Sequence, residues 1–285
     1  GAAAPAAAAA PAGDLLGDLL SDLGGSSAPA PASASAGGAF PADLALGPLV
    51  SPKAGSGCGL KGAMMLNADL AIALEVHNRT GAAFTTFMIK VNKNCYGLRS
   101  ADSTVHAAVA AGGVGRVVVP LVFDAAMVNA SSSPKLLQVA MKNSANGSVM
   151  KFTIPFPGLK PLLASLNNHA FAADGALEKG AFLEMWQSFD DAMESSVAVS
   201  CAYGVDTINA VLGAKNIFFI AKRRLNKKTA DEKSCCYFAL KVKGGSAILI
   251  ELTFAADGSV TLCTKTEQQD LVQVVQKCIK LLVSQ

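Results

Sequence analysis

The sequence is poor in the residues and motifs that enzymes use for acid–base and metal chemistry. Its three histidines, His77, His106 and His169, show no spacing typical of metal ligands and no flanking acidic pair. It lacks a Gly-x-Ser-x-Gly motif and a Gly-Lys-Ser/Thr motif, so it predicts neither a hydrolase nucleophile elbow nor a phosphate-binding loop. We therefore expect no enzyme activity, no cofactor and no metal site.

Strong net charge and long apolar runs are absent as well. The net charge of +3 at pH 7 implies by itself no general affinity for nucleic acid or acidic membranes. No stretch approaches the roughly 18 consecutive apolar residues of a transmembrane helix, and nothing resembles a signal peptide. Because the first residue is glycine, the sequence suggests a fragment of a longer chain. We expect neither a nucleic-acid partner nor a transmembrane segment.

Paired cysteine spacings are also missing. The seven cysteines are an odd number and form no C-x2-C motif. Most of them lie within apolar runs, where a free cysteine behaves as a small apolar residue. This pattern favours a reducing, cytosolic compartment.

Residues 1–56 consist mainly of Ala, Pro, Ser and Gly, so they cannot bury enough apolar surface to offset their conformational entropy. We predict a disordered segment, interrupted by an acidic-leucine motif at residues 13–23. Its four-residue period would place the acidic side chains on one side of a short helix. The motif is either a linear docking peptide or a transient helix without a partner. Its candidate docking residues are Asp14, Leu15, Leu16, Asp18, Leu19 and Leu20.

Residues 57–168 contain short β-rich runs separated by turn residues, with no helical periodicity between them. This pattern predicts an antiparallel sandwich of the immunoglobulin type, without the Cys–Trp–Cys pattern of an antibody-like domain. A connector that contains proline and asparagine, residues 156–168, follows the last run. The predicted strands lie at 70–77, 84–91, 115–123, 136–142 and 149–155.

Residues 169–285 predict a second, α+β domain. A short helix at about 178–189 precedes the strands, and an amphipathic helix at about 267–282 closes the chain with one apolar face. That face should cover a sheet. The predicted strands lie at about 196–203, 216–222, 234–242, 246–254 and 259–265.

The alternation of apolar and polar residues predicts the strand register of a hairpin within this second domain, between the strands at 234–242 and 246–254. Apolar positions on the two strands must share a face, which places Val242 opposite Ser246 and leaves a three-residue loop at 243–245. The two glycines in that loop suit its left-handed position. The same register places Tyr237 opposite Glu251 on the other face. This pair is either a ligand platform or an ordinary solvated pair.

The only tryptophan, Trp186, lies on the short predicted helix. Phe182, Trp186 and Phe189 are spaced at i, i+4 and i+7, which is how a helix presents residues to a core. The spacing leaves open whether the indole ring is buried or forms a binding site.

A basic run, Lys222–Arg224, follows one of the predicted strands of the second domain. It has no interleaved aromatic residues for base stacking. It would either attract an acidic peptide or serve as a solubilising loop.

Several motifs in one order resemble the appendage, or ear, of beta-adaptin, the large beta subunit of clathrin adaptor complexes. The likeness runs from about Gly57 to the end, and the acidic-leucine segment is similar to the hinge that precedes the appendage. The order of the motifs favours the beta type over the alpha and gamma types. The motifs are Val-Asn-Lys-Asn-Cys-Tyr-Gly (91–97), Leu-Gln-Val-Ala-Met-Lys-Asn (137–143), Asp-Gly-x5-Phe-Leu-x-x-Trp (174–186), Ile-Ala-Lys-Arg (220–223) and Tyr-x-x-Leu-Lys-Val (237–242).

The resemblance implies an immunoglobulin-like sandwich packed on an α+β platform, an antiparallel sheet with helices of TBP-like type. It also implies a cytoplasmic protein, peripheral on clathrin-coated membranes of the plasma membrane, trans-Golgi network or endosomes. The implied partners are accessory proteins that carry Phe/Leu-acidic peptides, the clathrin heavy chain, and other adaptor subunits through a trunk that precedes this sequence. The alternatives are an appendage of the alpha or gamma type and a purely structural coat scaffold.

The resemblance further implies a peptide-binding groove on the platform. There are four departures from the family pattern. Gln187 replaces a usual lysine, which should weaken acidic-motif binding, and the tyrosine of a second site on the sandwich falls near Val149 and is missing. The connector at 156–168 is longer than expected for the family, and the tail lacks a complete clathrin box. The residues that match the groove are Trp186, Tyr237, Glu251, Arg223 and Glu194, with Gln187 beside them.

Overall fold

A computed structural model describes residues 44–66, 70–145, 147–225 and 232–285. The described residues belong to one compact unit. The acidic-leucine motif at 13–23 lies outside the described residues, as do Lys227 and Lys228, two further basic residues shortly after the basic run Lys222–Arg224. All seven cysteines lie in the described part of the chain, and all are free.

The N-terminal half is a sandwich of two antiparallel sheets. One sheet has the strand order β1-β2-β3-β7-β5 and the other β6-β4-β8-β9. The bounds are β1 Gly47–Val50, β2 Cys58–Leu66, β3 Leu70–Asn78, β4 Phe84–Val91, β5 Leu98–Ser100, β6 Thr104–Val109, β7 Val114–Phe123, β8 Leu136–Asn143 and β9 Val149–Pro155.

Alternation along the strands explains why the two sheets pack face to face. In β4, Phe84, Phe87, Ile89 and Val91 are buried while the residues between them are exposed or half-buried. In β9, Met150, Phe152 and Ile154 alternate with exposed residues in the same way. Because side chains alternate between the faces of a strand, each strand contributes one apolar side to a shared core. The prediction of an antiparallel sandwich is confirmed, together with its five predicted strands.

The predicted disorder of residues 1–56 was wrong for the end of that segment. Gly47–Val50 form the edge strand β1, which pairs antiparallel with β2. The composition argument failed here because Leu49 and Val50 pack against the sandwich core, which a local sequence window does not reveal. Strands β2, β5 and β6 were also not predicted.

The C-terminal half contains one five-stranded antiparallel sheet of order β10-β14-β13-β12-β11. The fold is therefore mostly antiparallel sheet with a few helices, as expected for a sandwich followed by a platform. The strand bounds are β10 Glu194–Val199, β11 Phe218–Leu225, β12 Lys233–Lys241, β13 Ala247–Ala255 and β14 Val260–Lys265; the helices are α1 Leu159–His169, α2 Lys179–Ser188, α3 Ile208–Gly213 and α4 Gln269–Val283.

Residues 156–168, predicted to be a connector, instead contain most of helix α1. The helix begins after Gly158 and buries Leu162, Leu163 and Leu166. The Asn167 side-chain amide donates a hydrogen bond to the carbonyl of Cys278 in α4, at 3.3 Å. Proline in the first turn of a helix is tolerated, so Pro161 was a misleading reason to predict an irregular connector. The predicted domain boundary at 168/169 falls inside this helix, and we propose that α1 belongs to the platform.

The predicted hairpin register is confirmed. Cross-strand partners include Leu240 with Ile248 and Tyr237 with Glu251. Gly244 in the three-residue loop has a φ of +73°, the left-handed conformation that the loop requires. With this register, alternate residues of β12 and β13 face the α4 side of the sheet, called the core side, and the residues between them face the opposite side, called the second side. Phe238, Leu240, Ile250 and Leu252 are buried on the core side, which also holds the apolar residues of α4.

The same hairpin loop joins the platform to the sandwich. The backbone amide of Ala125, in the turn that follows β7, donates to the carbonyl of Lys243 at 3.1 Å. Gly245 leaves room for Ala125 and Gln268, since a Cβ atom at this position would lie 2.9 Å from the Ala125 Cβ and 2.7 Å from Gln268 Oε1. These contacts connect the two halves at a point remote from the second side of the sheet.

Candidate functional site

Helix α2 lies on the side of the platform sheet opposite to α4. Its Phe182 is buried, with 5% of its surface exposed, and packs in one cluster with Ala239 of β12 and Leu249 of β13. Ala239 and Leu249 are direct cross-strand partners. Phe182 therefore anchors α2 on the sheet and leaves the neighbouring positions of β12 and β13 beside the helix.

Trp186 is half-buried and forms an aromatic cluster with its neighbours. Its ring is stacked on Phe182 with a centroid distance of 5.5 Å and an interplanar angle of 26°. It also meets the Tyr237 ring edge-on at 6.0 Å and 84°. Of the three residues spaced at i, i+4 and i+7, only Phe182 belongs to the core, while Trp186 and Phe189 are partly exposed. The indole ring is neither fully buried nor isolated.

Tyr237 and Glu251 form the polar part of this cluster. Burial raises the pKa of the Tyr237 phenol strongly, and the negative charge of Glu251 raises it further. The phenol is therefore protonated at neutral pH. Glu251 Oε1 accepts a hydrogen bond of 2.6 Å from the hydroxyl of Thr253, which fixes the carboxylate on the same side of the sheet.

Cys263 of β14 is the next cross-strand neighbour of Glu251. Burial raises the pKa of its thiol to about 12. The thiol is neutral at pH 7 and acts as a small apolar floor instead of a nucleophile. We define the open face as the sheet surface formed by Tyr237, Glu251 and Cys263 beside the Trp186 ring.

Lys265 was not predicted as a site residue, yet it supports Trp186. Its side chain is 6% exposed and lies 3.8 Å from Glu194 and 3.9 Å from Asp191. Its Nζ atom donates to the Trp186 carbonyl at 3.4 Å and lies 5.5 Å from the centroid of the indole ring. A cation at that distance from an indole face is attracted by the ring. Lys265 thus holds the end of α2 and the ring together.

The other predicted site residues are at the margins of the open face. Glu194 begins β10 and is the cross-strand partner of Lys265. Arg223 of β11 is exposed and lies opposite Cys235, two residues before Tyr237 along β12. Gln187 is exposed next to Trp186 on α2. The structure therefore brings Trp186, Tyr237 and Glu251 together, with Glu194 joined to them through Lys265 and with Arg223 and Gln187 at the rim.

The sequence did contain a signal for Lys265. It ends a predicted strand at 259–265, and alternation from Cys263 assigns both residues to one face. The sequence analysis did not predict that this strand pairs with β13 of the hairpin, and in that pairing Lys265 lies opposite Leu249. A lysine facing a sheet surface that carries an aromatic helix can then be placed beside the tryptophan.

We predict that Lys265→Met changes the environment of Trp186 more than it changes stability. Methionine retains the apolar stem, and the exposed Asp191 and Glu194 stay hydrated, so the free energy of unfolding should change by less than about 1 kcal/mol. Because Trp186 is the only tryptophan, its fluorescence emission reports the site directly. Lys265→Arg, which keeps the charge, is the control. An emission spectrum unchanged in Lys265→Met would show that Lys265 does not position the ring.

The composition of this surface suits binding better than catalysis. It offers aromatic area, two carboxylates and a neutral thiol, with no nucleophile beside a base. Among the described residues no cluster of three or more His, Cys, Asp or Glu could hold a metal ion. No helix in the described part of the chain is long and apolar enough to cross a membrane.

One family model matches the C-terminal part of the chain. Residues 172–283 match the family described as beta2-adaptin appendage, C-terminal sub-domain. This range contains α2 and all five strands of the platform sheet, and therefore the whole open face.

Curated relatives extend the similarity into the sandwich. The chain is 27% identical over 208 residues to the AP-1 complex subunit beta-1 of Rattus norvegicus, covering 72% of this chain and 20% of the relative. It is 24% identical over 218 residues to the AP-1 complex subunit beta of Dictyostelium discoideum, covering 75% and 21%. With the Homo sapiens AP-1 complex subunit beta-1 the identity is 26% over 186 residues, covering 65% and 18%. The chain spans about a fifth of the length of these relatives.

Proposed function

Since the chain carries a beta-adaptin appendage domain, we propose that it is the peptide-binding appendage of an adaptor beta subunit in vesicle-mediated protein transport. The appendage would recruit accessory and coat proteins by their short Phe/Leu-acidic motifs. The observation that carries this proposal is the half-exposed Trp186 ring in contact with Tyr237, directly beside Glu251. Interfaces that bind peptides tightly concentrate their energy in such Trp, Tyr and Arg positions.

The open face could supply each part of the required recognition. The Trp186 and Tyr237 rings offer apolar area for Phe or Leu anchors of the peptide. Arg223 would pair with acidic residues of the peptide, while Glu251 and Glu194 would accept from its basic or amide groups. At the rim, Gln187 would contribute a neutral amide in place of the positive charge of the lysine that is usual in the family. We therefore expect only moderate affinity for strongly acidic motifs.

The whole-protein role is part of the same proposal. The relatives are beta subunits of the AP-1 complex, which supports a clathrin adaptor on coated membranes of the Golgi and endosomal system. The clathrin heavy chain would be a partner, and other adaptor subunits would bind through a trunk that precedes this sequence. The acidic-leucine residues Asp14–Leu20 are proposed as a clathrin-type docking motif.

Isothermal calorimetry with a synthetic helical peptide that carries Phe and Leu anchors and flanking acidic residues tests the proposal. We expect saturable binding at sub-millimolar peptide, because a few buried aromatic contacts of about 1–2 kcal/mol each are sufficient. A peptide with both anchors replaced by alanine is the control. If the intact peptide gives no heat beyond that control, the scaffold alternative, in which the domain only spaces or caps the coat, replaces this function.

A further inference from the structure

The chain around the end of helix α2 is locally acidic, although the protein as a whole carries a small positive charge. Residues 184–194 contain four Asp and Glu and no Lys, Arg or His. A single serine, Ser188, lies in the middle of this stretch. Asp190 and Asp191 follow it at the second and third positions. A hydroxyl group in this setting has the sequence context that acidophilic serine kinases recognise, because such enzymes bind carboxylates after the serine with basic side chains of their own.

The structure presents this serine at an accessible place. Ser188 is the last residue of α2, and its side chain is exposed. Its Oγ atom donates to the Met185 carbonyl at 2.9 Å, on the surface of the helix end. The next two residues are extended, with φ −83° and ψ 131° at Phe189 and φ −64° and ψ 156° at Asp190. Because kinases bind the residues around the acceptor as an extended chain, the segment after Ser188 already has a suitable backbone conformation.

The two carboxylates after Ser188 are also within reach of an enzyme. Asp190 and Asp191 are both exposed. Asp191 approaches Lys265 at 3.9 Å, but its own side chain is fully exposed, so this contact leaves it open to solvent. Basic side chains of a kinase could therefore form charge-assisted hydrogen bonds with both carboxylates.

A second serine or threonine has a similar acidic pair. Thr229 is followed by Asp231 and Glu232 at the second and third positions, and it lies outside the described residues. Lys227 and Lys228 directly precede it. Their positive charges would repel the basic groove of the same enzyme, so Ser188 has the more favourable surroundings.

A phosphate on Ser188 would act on the support of the Trp186 ring. It would add a charge of about −1.5 to −2 at the carbonyl end of α2, which carries the negative end of the helix dipole. The last turn of α2 contains no basic residue, and Glu184 lies one turn earlier on the same side of the helix. Lys265, which donates to the Trp186 carbonyl at 3.4 Å, would be attracted to the new anion. Phosphorylation would therefore loosen the last turn of α2 and disturb the indole ring.

We propose that Ser188 is a phosphorylation site for an acidophilic serine kinase, and that its phosphate lowers the affinity of the open face for acidic peptides. In the reaction, Ser188 Oγ forms a bond to the γ-phosphorus of ATP while the bond from that phosphorus to the leaving ADP oxygen breaks. The hydroxyl proton passes to a basic group of the kinase. The regulatory part rests on the proposed peptide function, because the phosphate would stand beside Gln187 at the rim and repel carboxylates of the peptide.

Incubation of the full chain with ATP and a purified acidophilic serine kinase, followed by mass spectrometry of proteolytic peptides, tests the modification site. We expect one phosphoryl group on the peptide that contains Ser188 and none on that peptide in Ser188→Ala. The double variant Asp190→Asn, Asp191→Asn keeps the serine and should react at least about tenfold more slowly, because two charge-assisted contacts are lost. An equal rate in this variant, or no phosphate on Ser188 while a standard acidic substrate peptide is labelled, would overturn the site.

Calorimetry with the Phe/Leu-acidic peptide measures the effect on the open face. The phosphorylated chain should bind about fivefold more weakly than the unmodified chain, because a phosphate within roughly one Debye length of the peptide repels its carboxylates. Ser188→Glu should show a smaller loss in the same direction, and the uncharged Ser188→Gln should bind like the wild type. A peptide whose acidic residues are replaced by amides should lose far less affinity on phosphorylation. Equal affinity of the phosphorylated and unmodified chains would overturn the regulatory role.

Fluorescence of Trp186 separates this inference from the peptide function. Phosphorylation of the wild type should shift the emission, whereas Ser188→Ala treated in the same way should show no shift. If the unmodified chain binds no peptide, the proposed function fails, while phosphate uptake at Ser188 and the emission shift still decide whether the site exists and acts on the ring. An unchanged emission of the phosphorylated chain would contradict the loosening of α2.

Discussion

Trp186→Ala is expected to abolish calorimetric binding of Phe/Leu-acidic peptides while the domain stays folded. The indole ring forms the exposed wall of the open face, and truncation of such an anchor costs about 2 kcal/mol or more, at least a thirtyfold loss of affinity. Its stability cost should be smaller, about 1–2 kcal/mol, because the ring is half-buried and Phe182 continues to hold α2 on the sheet.

The control for this substitution is Leu183→Ala on the same helix. Leu183 is 53% exposed and lies outside the aromatic cluster. Leu183→Ala should therefore change the free energy of peptide binding and the free energy of unfolding by no more than about 0.5 kcal/mol each. Thermal unfolding of both variants accompanies the calorimetry. A fall in the melting temperature of Trp186→Ala as large as that of a core truncation would identify the ring as core and contradict the assigned site.

Phe238→Ala should produce the largest loss of stability among the changes considered. Phe238 is fully buried on the core side of β12, in the same cluster as the apolar residues of α4. Truncating a buried phenylalanine removes its transfer free energy and leaves a cavity, which together cost about 3–5 kcal/mol. Chemical denaturation monitored by circular dichroism measures the difference.

Two neighbours provide matched controls for this substitution. Phe219 contacts Phe238 edge-on at 5.6 Å but is 39% exposed, so Phe219→Ala should cost clearly less. Tyr237 is adjacent in sequence and points to the opposite side of the sheet, so Tyr237→Ala should weaken peptide binding more than it weakens the fold. If Tyr237→Ala and Phe238→Ala had the same profile in both measurements, the separation of the sheet into core side and open face would be wrong.

Local alternation was sufficient for much of the platform. The pairing of Tyr237 with Glu251 followed from the apolar pattern of two strands and the glycines of their loop, because a shift by one residue would reverse both faces. Five of the nine strands described in the sandwich were predictable for the same reason. Helix α1 was missed because its Pro161 and two asparagines suggest a loop, and only its packing against α4 explains why the segment is helical.

The exposure of Trp186 and the role of Lys265 were beyond the reach of local patterns. The helical spacing of Phe182 and Trp186 is the same whether both rings are buried or only one. The outcome depends on how α2 crosses the sheet, which Phe182 determines by packing against Ala239 and Leu249 from two different strands. Lys265 comes beside the ring through the pairing of β14 with β13, a contact between strands that the sequence does not connect to α2.

The sequence by itself therefore determined where the predicted strands lie, the register of the platform hairpin and the family resemblance. Each of these depends on short-range periodicity or on the order of motifs. Only the tertiary structure decided which side of the platform is open and that Lys265 lies beside the Trp186 ring. The physical reason is that burial and charge clustering depend on distances between segments far apart in the chain. Trp186 becomes an exposed aromatic wall through contacts with Tyr237 and Lys265, 51 and 79 positions further along the sequence.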